Sequence, residues 1–137
     1  MTKKAVRMLV LNKGDMFIDE LIKYAENTEL KSGSFYGIGA LKNPILGFYD
    51  LETKKYKQKK FDGFYEVVSL VGNITKCDDK YIVHTHVALS DSEYHVIGGH
   101  LIDAIVGITV EISILSFDEI ITRQFNPDLA LNLITIK

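Results

Sequence analysis

The sequence predicts an α+β fold in which one main helix packs on a strongly curved, mostly antiparallel sheet. Three observations predict it. Apolar residues recur at clear helical spacing in one stretch, near the start of the chain. From Lys31 onward, runs rich in β-branched and aromatic residues alternate with clusters of Gly, Asn and Asp. The links between most of those runs are shorter than the crossovers that parallel strands require.

Taken in order, residues 5–11 (AVRMLVL) read as a first strand, closed by the turn cluster Asn12-Lys13-Gly14-Asp15. Asp15 is expected to cap the helix that follows, about residues 16–27. Phe17, Ile18, Leu21, Ile22 and Ala25 line one side of it, with Asp19, Glu20, Lys23 and Glu26 opposite. Residues 34–38 and 45–50 read as two short strands separated by a loop at 39–44, and residues 54–61 as the next strand. Residues 65–75 (YEVVSLVGNIT) are apolar on both faces, as expected of a strand in the middle of a covered sheet. Asp78-Asp79 are expected to make a hairpin turn into a strand at 80–90. Strands at 107–117, 120–125 and 131–136 complete the chain. No repeat, linker or low-complexity tract interrupts it, so one domain over residues 4–136 is expected.

Composition excludes several functional classes. The chain has 137 residues, 47% hydrophobic and 25% charged, a balance unlike that of disordered or membrane proteins. Its formal net charge of −2 lacks the whole-chain basic excess of a nucleic-acid binder. The lone Cys77 cannot form an intramolecular disulfide and suits a reducing compartment. The apolar run at the start is too short for a signal-peptide core, and no run reaches the roughly 18 residues of a membrane span. A cytoplasmic location without a membrane partner is the expectation.

The chemistry concentrates at residues 81–101, YIVHTHVALSDSEYHVIGGHL. On a strand, His84 and His86 project from one face, opposite Val83, Val87 and Leu89. Gly98-Gly99 would let the chain bend sharply and fold a third imidazole, His100, back onto the pair. Three histidines and one open position form the catalytic type of zinc site. Alternation alone leaves metal ligation and ordinary histidines equally open.

Glu66 and Glu111 are carboxylates inside otherwise apolar strands. Either could orient a ligand histidine or act as a general base; a salt bridge to Arg7 or Arg123, or a polar subunit contact, is the plainer alternative. Gly37-Ile38-Gly39 lacks the third glycine and long helix of a dinucleotide fingerprint, so a tight turn is expected there. The lysine-rich run at residues 54–60 fits a protected sheet edge better than a nucleic-acid face.

An ordered series of motifs adds a resemblance. It comprises Arg7, Gly37-Ile38-Gly39-Ala40, Gly47-Phe48-Tyr49-Asp50 and the run from Gly63 to Ile74 (GFYEVVSLVGNI). His84-Thr85-His86-Val87, Gly98-Gly99-His100-Leu101, Thr109-Val110-Glu111-Ile112 and Arg123 continue it. Together these resemble the PPC domain family (plants and prokaryotes conserved) over about residues 4–136. The resemblance implies a compact α+β subunit similar in fold to acetolactate decarboxylase, assembling as a homotrimer. It implies a divalent metal site, zinc above all, at His84, His86 and His100. In plants the domain follows an AT-hook, an Arg-Gly-Arg-Pro segment that enters the minor groove. This sequence has no such segment.

Three functions follow as expectations. The first is a homotrimeric metal-binding protein of unassigned role, with a small-molecule ligand or regulatory task. The second is a metal-dependent lyase or hydrolase acting on a small molecule, with Glu66 as acid or base. The third is a DNA-associated regulator using the lysines of residues 54–60.

Overall fold

The computed structural model describes residues 6–136. In chain order they form β1 (Val6–Asn12), α1 (Phe17–Asn27), β2 (Ser32–Asp50), β3 (Lys55–Lys60), β4 (Phe64–Cys77), β5 (Lys80–Ser90), β6 (Val96–Phe117), β7 (Thr122–Asn126) and β8 (Leu131–Thr135). The starts expected at residues 4 and 5 for domain and first strand lie outside the described residues. The strands join in the order β3-β2-β6-β5-β4-β7-β8, with β1 on β6. A further pairing of β2 with β4 closes the ring β2-β6-β5-β4. Every ladder is antiparallel except β4 with β7, which touch in parallel through Lys76 and Thr122 alone.

Alternation decides what lies inside. Leu70 and Ile74 of β4, Val87 and Leu89 of β5, and Val110, Ile112 and Ile114 of β6 are buried on the inner side of the closed sheet. Phe17, Leu21 and Ala25, four residues apart along α1, complete the same core. The helix packs on β5 and β6, which stiffens from behind the two strands that carry the histidines.

Four expectations are corrected. Residues 39–44 are not a loop: β2 runs unbroken for 19 residues. Gly39, at φ +146°, passes so close to β6 that an added Cβ would lie 2.1 Å from the Thr109 carbonyl oxygen. Register shifts there and between Leu41 and Leu46 bend the strand instead of ending it. Asp15 does not cap α1, whose N-cap is Met16 with no side-chain hydrogen bond; the Asp15 carboxylate accepts the Asn12 N–H at 2.8 Å and closes the preceding turn. Strand β4 is covered on one face only, with Val68 and Val71 exposed. Gly98-Gly99 are not a hinge between elements: they lie within β6 and pair with Ala88 and Val87 of β5. The Asp78-Asp79 turn is found as expected, both residues at positive φ (48° and 62°), the twist that suits a two-residue hairpin. The lysine run forms β3, an end strand of the sheet, as its composition indicates.

Candidate metal centre

Pairing on either side of β5 sets the site. Thr85 points inward and donates its hydroxyl to the Val71 carbonyl at 2.9 Å, fastening β5 to β4. His84 and His86 therefore point outward. His86 stands directly opposite His100 in the β5–β6 ladder. Glycine at position 98 permits the close approach of that ladder: an added Cβ would lie 2.8 Å from the Val87 carbonyl oxygen. The third imidazole thus arrives through strand register rather than a hinge.

The three rings form a near-equilateral triangle, with centroid separations of 5.1, 5.2 and 5.4 Å. One nitrogen of each lies within 4.8 Å of the others. His84 Nε2 and His86 Nε2 are 3.2 Å apart, close to the roughly 3.3 Å that separates two nitrogens bound to one tetrahedral zinc ion. His100 Nδ1 is buried without a hydrogen-bond partner, an orphaned polar atom of the kind a metal ion satisfies. The donor set and its spacing fit a divalent ion. His86 is exposed, which leaves the triangle open to a ligand from outside.

Electrostatics keep the donors in their metal-binding form. Burial pushes the His100 imidazole down to about 4, with His84 and His86 adding to the effect. Burial also lowers His84, helped by the Arg123 guanidinium and by His86. Both rings are neutral at pH 7, and neutral imidazole is the species that ligates.

Three neighbours were not placed at the centre from the sequence, although Tyr49 and Arg123 belong to the motif series quoted above. The Tyr56 ring, from within the lysine run, stacks on His100 at 4.8 Å, and Tyr49 meets Tyr56 edge-on at 5.1 Å. Arg123 on β7 donates from Nε to Thr75 Oγ1 at 2.8 Å and from Nη2 to Asn73 Oδ1 at 2.9 Å. Its Nη2 also lies 3.4 Å from His84 Nδ1. An aromatic residue interrupting five lysines was a signal that could have singled out Tyr56. Nothing local marked Asn73 or placed Arg123 beside a histidine.

Neither glutamate joins the triangle. Glu66 pairs with Ser90 on β5, four residues beyond His86, or about 13 Å at the ordinary strand rise, and it is exposed. Glu111 sits between Val10 and Ile38 in adjacent ladders. It too is exposed and forms no ion pair with Arg7 or Arg123 among the described residues, so the buried salt bridge read from its apolar strand is absent. No second His/Cys/Asp/Glu cluster of metal-binding geometry occurs among the described residues.

A closed antiparallel sheet carrying three outward histidines on two adjacent strands defines the class: an α+β protein with a three-histidine centre. A family model described as the Plants and Prokaryotes Conserved (PCC) domain matches residues 2–118, and the chain belongs to that family. A candidate DNA-binding protein from Bacteroides thetaiotaomicron shares 29% identity, with 96% of each chain covered and a TM-score of 0.90. A metal-containing protein from Archaeoglobus fulgidus shares 27% identity over 99% of this chain and 100% of the other, with a TM-score of 0.86. Acetolactate decarboxylase from Bacillus subtilis is 16% identical over 91% of this chain and 59% of its own, with a TM-score of 0.60; that likeness is one of fold alone. No curated protein matches the chain. Among the described residues, no helix is long and apolar enough to cross a membrane.

Proposed function

We propose that this is a metal-binding member of the family, one domain over residues 4–136, in which His84, His86 and His100 hold one divalent ion, zinc first. The observation that carries the reading is the triangle itself, with its 3.2 Å Nε2–Nε2 edge and the orphaned His100 nitrogen. The metal-containing Archaeoglobus relative supports it. A divalent ion there would supply a Lewis-acid position with one open coordination site. Of the chain's own residues, Tyr56 stacks on one ligand, and Arg123 lies beside another without being needed to hold the ion. The physiological role is binding or sensing a small molecule in the cytoplasm.

Self-assembly as a homotrimer is part of the proposal. On the outer sheet surface, Val6, Met8, Val10, Tyr36, Ile38 and Val71 are each between 50% and 63% exposed. They are neighbours by register: Met8 and Tyr36 both oppose Ser113, Tyr36 opposes Val71, and Val71 opposes His86. A contiguous apolar surface of this kind is characteristic of an interface. It runs up to the histidine centre.

Elemental analysis of protein purified without a histidine tag is the test. About one metal per chain is expected, as open three-ligand sites predict, falling below about a tenth in the His84→Ala, His86→Ala double variant. Wild-type protein already below that level, with no change in the variant, overturns the metal reading. Sedimentation should give a trimer for the wild type and smaller species for Tyr36→Glu; a wild-type monomer removes the assembly.

One observation favours a second reading. The Bacteroides relative carries a DNA-binding description, and β3 exposes its lysines. Lys57 and Lys60 are however paired to Asp50 and Asp62, at 2.7 and 3.6 Å, which halves the local excess. Binding of an A·T-rich duplex that falls steeply with salt would support this reading; undetectable binding at low salt would remove it. A lyase or hydrolase would need Glu66 to arrive from a second copy, given its distance from the triangle within one chain.

A further inference from the structure

We infer that the histidine centre takes a small oxyanion, a carboxylate or a phosphate, as its external ligand, with Arg123 as the protein's charge partner for it. The inference rests on the three-histidine metal reading above and adds the class of ligand. It begins from a charge left without an answer. Arg123 is permanently cationic and half-buried beside His84, yet every partner it has among the described residues is neutral. These are Thr75 Oγ1 at 2.8 Å, the Asn132 carbonyl at 3.0 Å and Asn73 Oδ1 at 2.9 Å, while His84 Nδ1 lies 3.4 Å from Nη2. Among the described residues, no aspartate or glutamate forms an ion pair or hydrogen bond with Arg123, His84, His86 or His100.

A guanidinium in such a place ordinarily finds a carboxylate. With a divalent ion on three neutral imidazoles, the centre gains two further positive charges and still no anion from the described residues. A neutral ligand leaves that field unbalanced and a cation worsens it, whereas an oxyanion offsets it. The donor inventory agrees. A guanidinium has five N–H groups, and three of them go to the oxygens of Thr75, Asn132 and Asn73. With His84 Nε2 on a metal, its Nδ1 carries the ring proton and cannot accept, so one N–H on Nη1 and one on Nη2 stay uncommitted among the described residues. The Tyr56 ring stacks on His100 at 4.8 Å, which brings a phenol, another neutral group, to the same centre.

Arg123 is not held in place by chance. It lies on the β7–β8 hairpin, beyond the residues 2–118 that match the family model. That hairpin meets β4 by one residue pair and is tied again where the Tyr49 hydroxyl donates to the Leu129 carbonyl. The chain thus brings a distant segment to the edge of the centre and presents one cation there.

The experiment uses untagged full-length protein loaded with cobalt(II), whose visible absorption reports changes in coordination. Acetate, oxalate and inorganic phosphate are titrated separately, with acetamide as the neutral counterpart of acetate and calorimetry as a second readout. Saturable spectral shifts are expected from one or more oxyanions and none from acetamide, and the acetate, oxalate and phosphate arms rank the ligand chemistries. Arg123→Gln should weaken the oxyanion at least about tenfold, the worth of a charge-assisted hydrogen bond, while cobalt uptake stays near one per chain; Arg123→Lys should restore part of the loss. Cobalt bound with equal responses to acetate and acetamide overturns this inference and leaves the metal reading standing, as does oxyanion affinity within about twofold in a folded Arg123→Gln protein. No cobalt uptake overturns both. If Arg123→Gln does not fold, the wild-type acetate–acetamide comparison decides.

Discussion

The inner and outer faces of β5 share one backbone and follow opposite rules. Inward, Thr85, Val87 and Leu89 are buried among side chains from α1, β4 and β6. Their energy comes from area removed from water, a sum to which many residues contribute. Outward, His84 and His86 owe their position to register with β4 and β6, and their use depends on ångström-scale placement of a few nitrogens. The inner face tolerates loss by degrees and the outer face does not. One ladder serves both, so a change can be aimed at either face or at the ladder itself.

The largest effect on stability is expected inside. Leu89→Ala, at a fully buried position, should cost about 2–5 kcal/mol of unfolding free energy, measured by chemical denaturation. Against the roughly 5–15 kcal/mol of an ordinary domain the protein should still fold, and its metal stoichiometry should not change. A loss of metal in a folded Leu89→Ala protein would mean that the two faces are not separable. Gly98→Ala strikes the ladder. Its new Cβ would lie 2.8 Å from the Val87 carbonyl oxygen, a backbone atom that cannot turn aside. A cost of about 1–3 kcal/mol is expected, together with weaker metal binding, because separating β5 from β6 separates His86 from His100. Destabilisation with unchanged metal affinity would show that register is not what assembles the triangle.

The same contrast explains what the sequence made legible. Strand β5 was read to its exact limits because the period-two pattern and the Asp-Asp turn are both local. His84 and His86 followed from it directly. Their meeting with His100 could be expected only through a glycine bend. The actual cause, pairing of β5 with β6, is a long-range choice that local sequence does not display. The loop read at residues 39–44 failed for a related reason. Gly39, Asn43 and Pro44 are turn signals, but β2 uses them for bulges, with Asn43 Oδ1 accepting the Gly63 N–H at 2.8 Å. The apolar outer residues of β4 suggested a strand covered on both sides. Exposed valines such as Val68 and Val71 and valines of the protein's own core look alike in sequence. Arg123 was visible as a residue, but its place beside His84 depends on how the last hairpin folds across the sheet.

The smallest effect sharpens the comparison from the edge of the sheet. Asp50 ends β2, and its carboxyl is pulled down to about 2 from an ordinary 3.8, first by the Lys57 ammonium and then by the Thr53 N–H, with the Glu52 N–H a weaker contributor. A depressed carboxylate stabilises the fold above its unfolded value, and that contribution disappears as pH falls from about 4 toward 2. Asp50→Asn removes the charge but keeps an oxygen for the two backbone donors, so it isolates the ion pair. The difference in denaturation midpoint between wild type and variant should be small, as exposed pairs are. It should be greatest above about pH 4, close toward pH 2 and shrink in high salt. Metal content at pH 7 should not move, since Asp50 touches neither the histidines nor Arg123. A difference that stays constant across this pH range would place the effect in the turn's hydrogen bonds instead of the charge. A loss of metal would mean that the β2–β3 edge, through Tyr49 and Tyr56, supports the centre more directly than its outermost position in the sheet suggests.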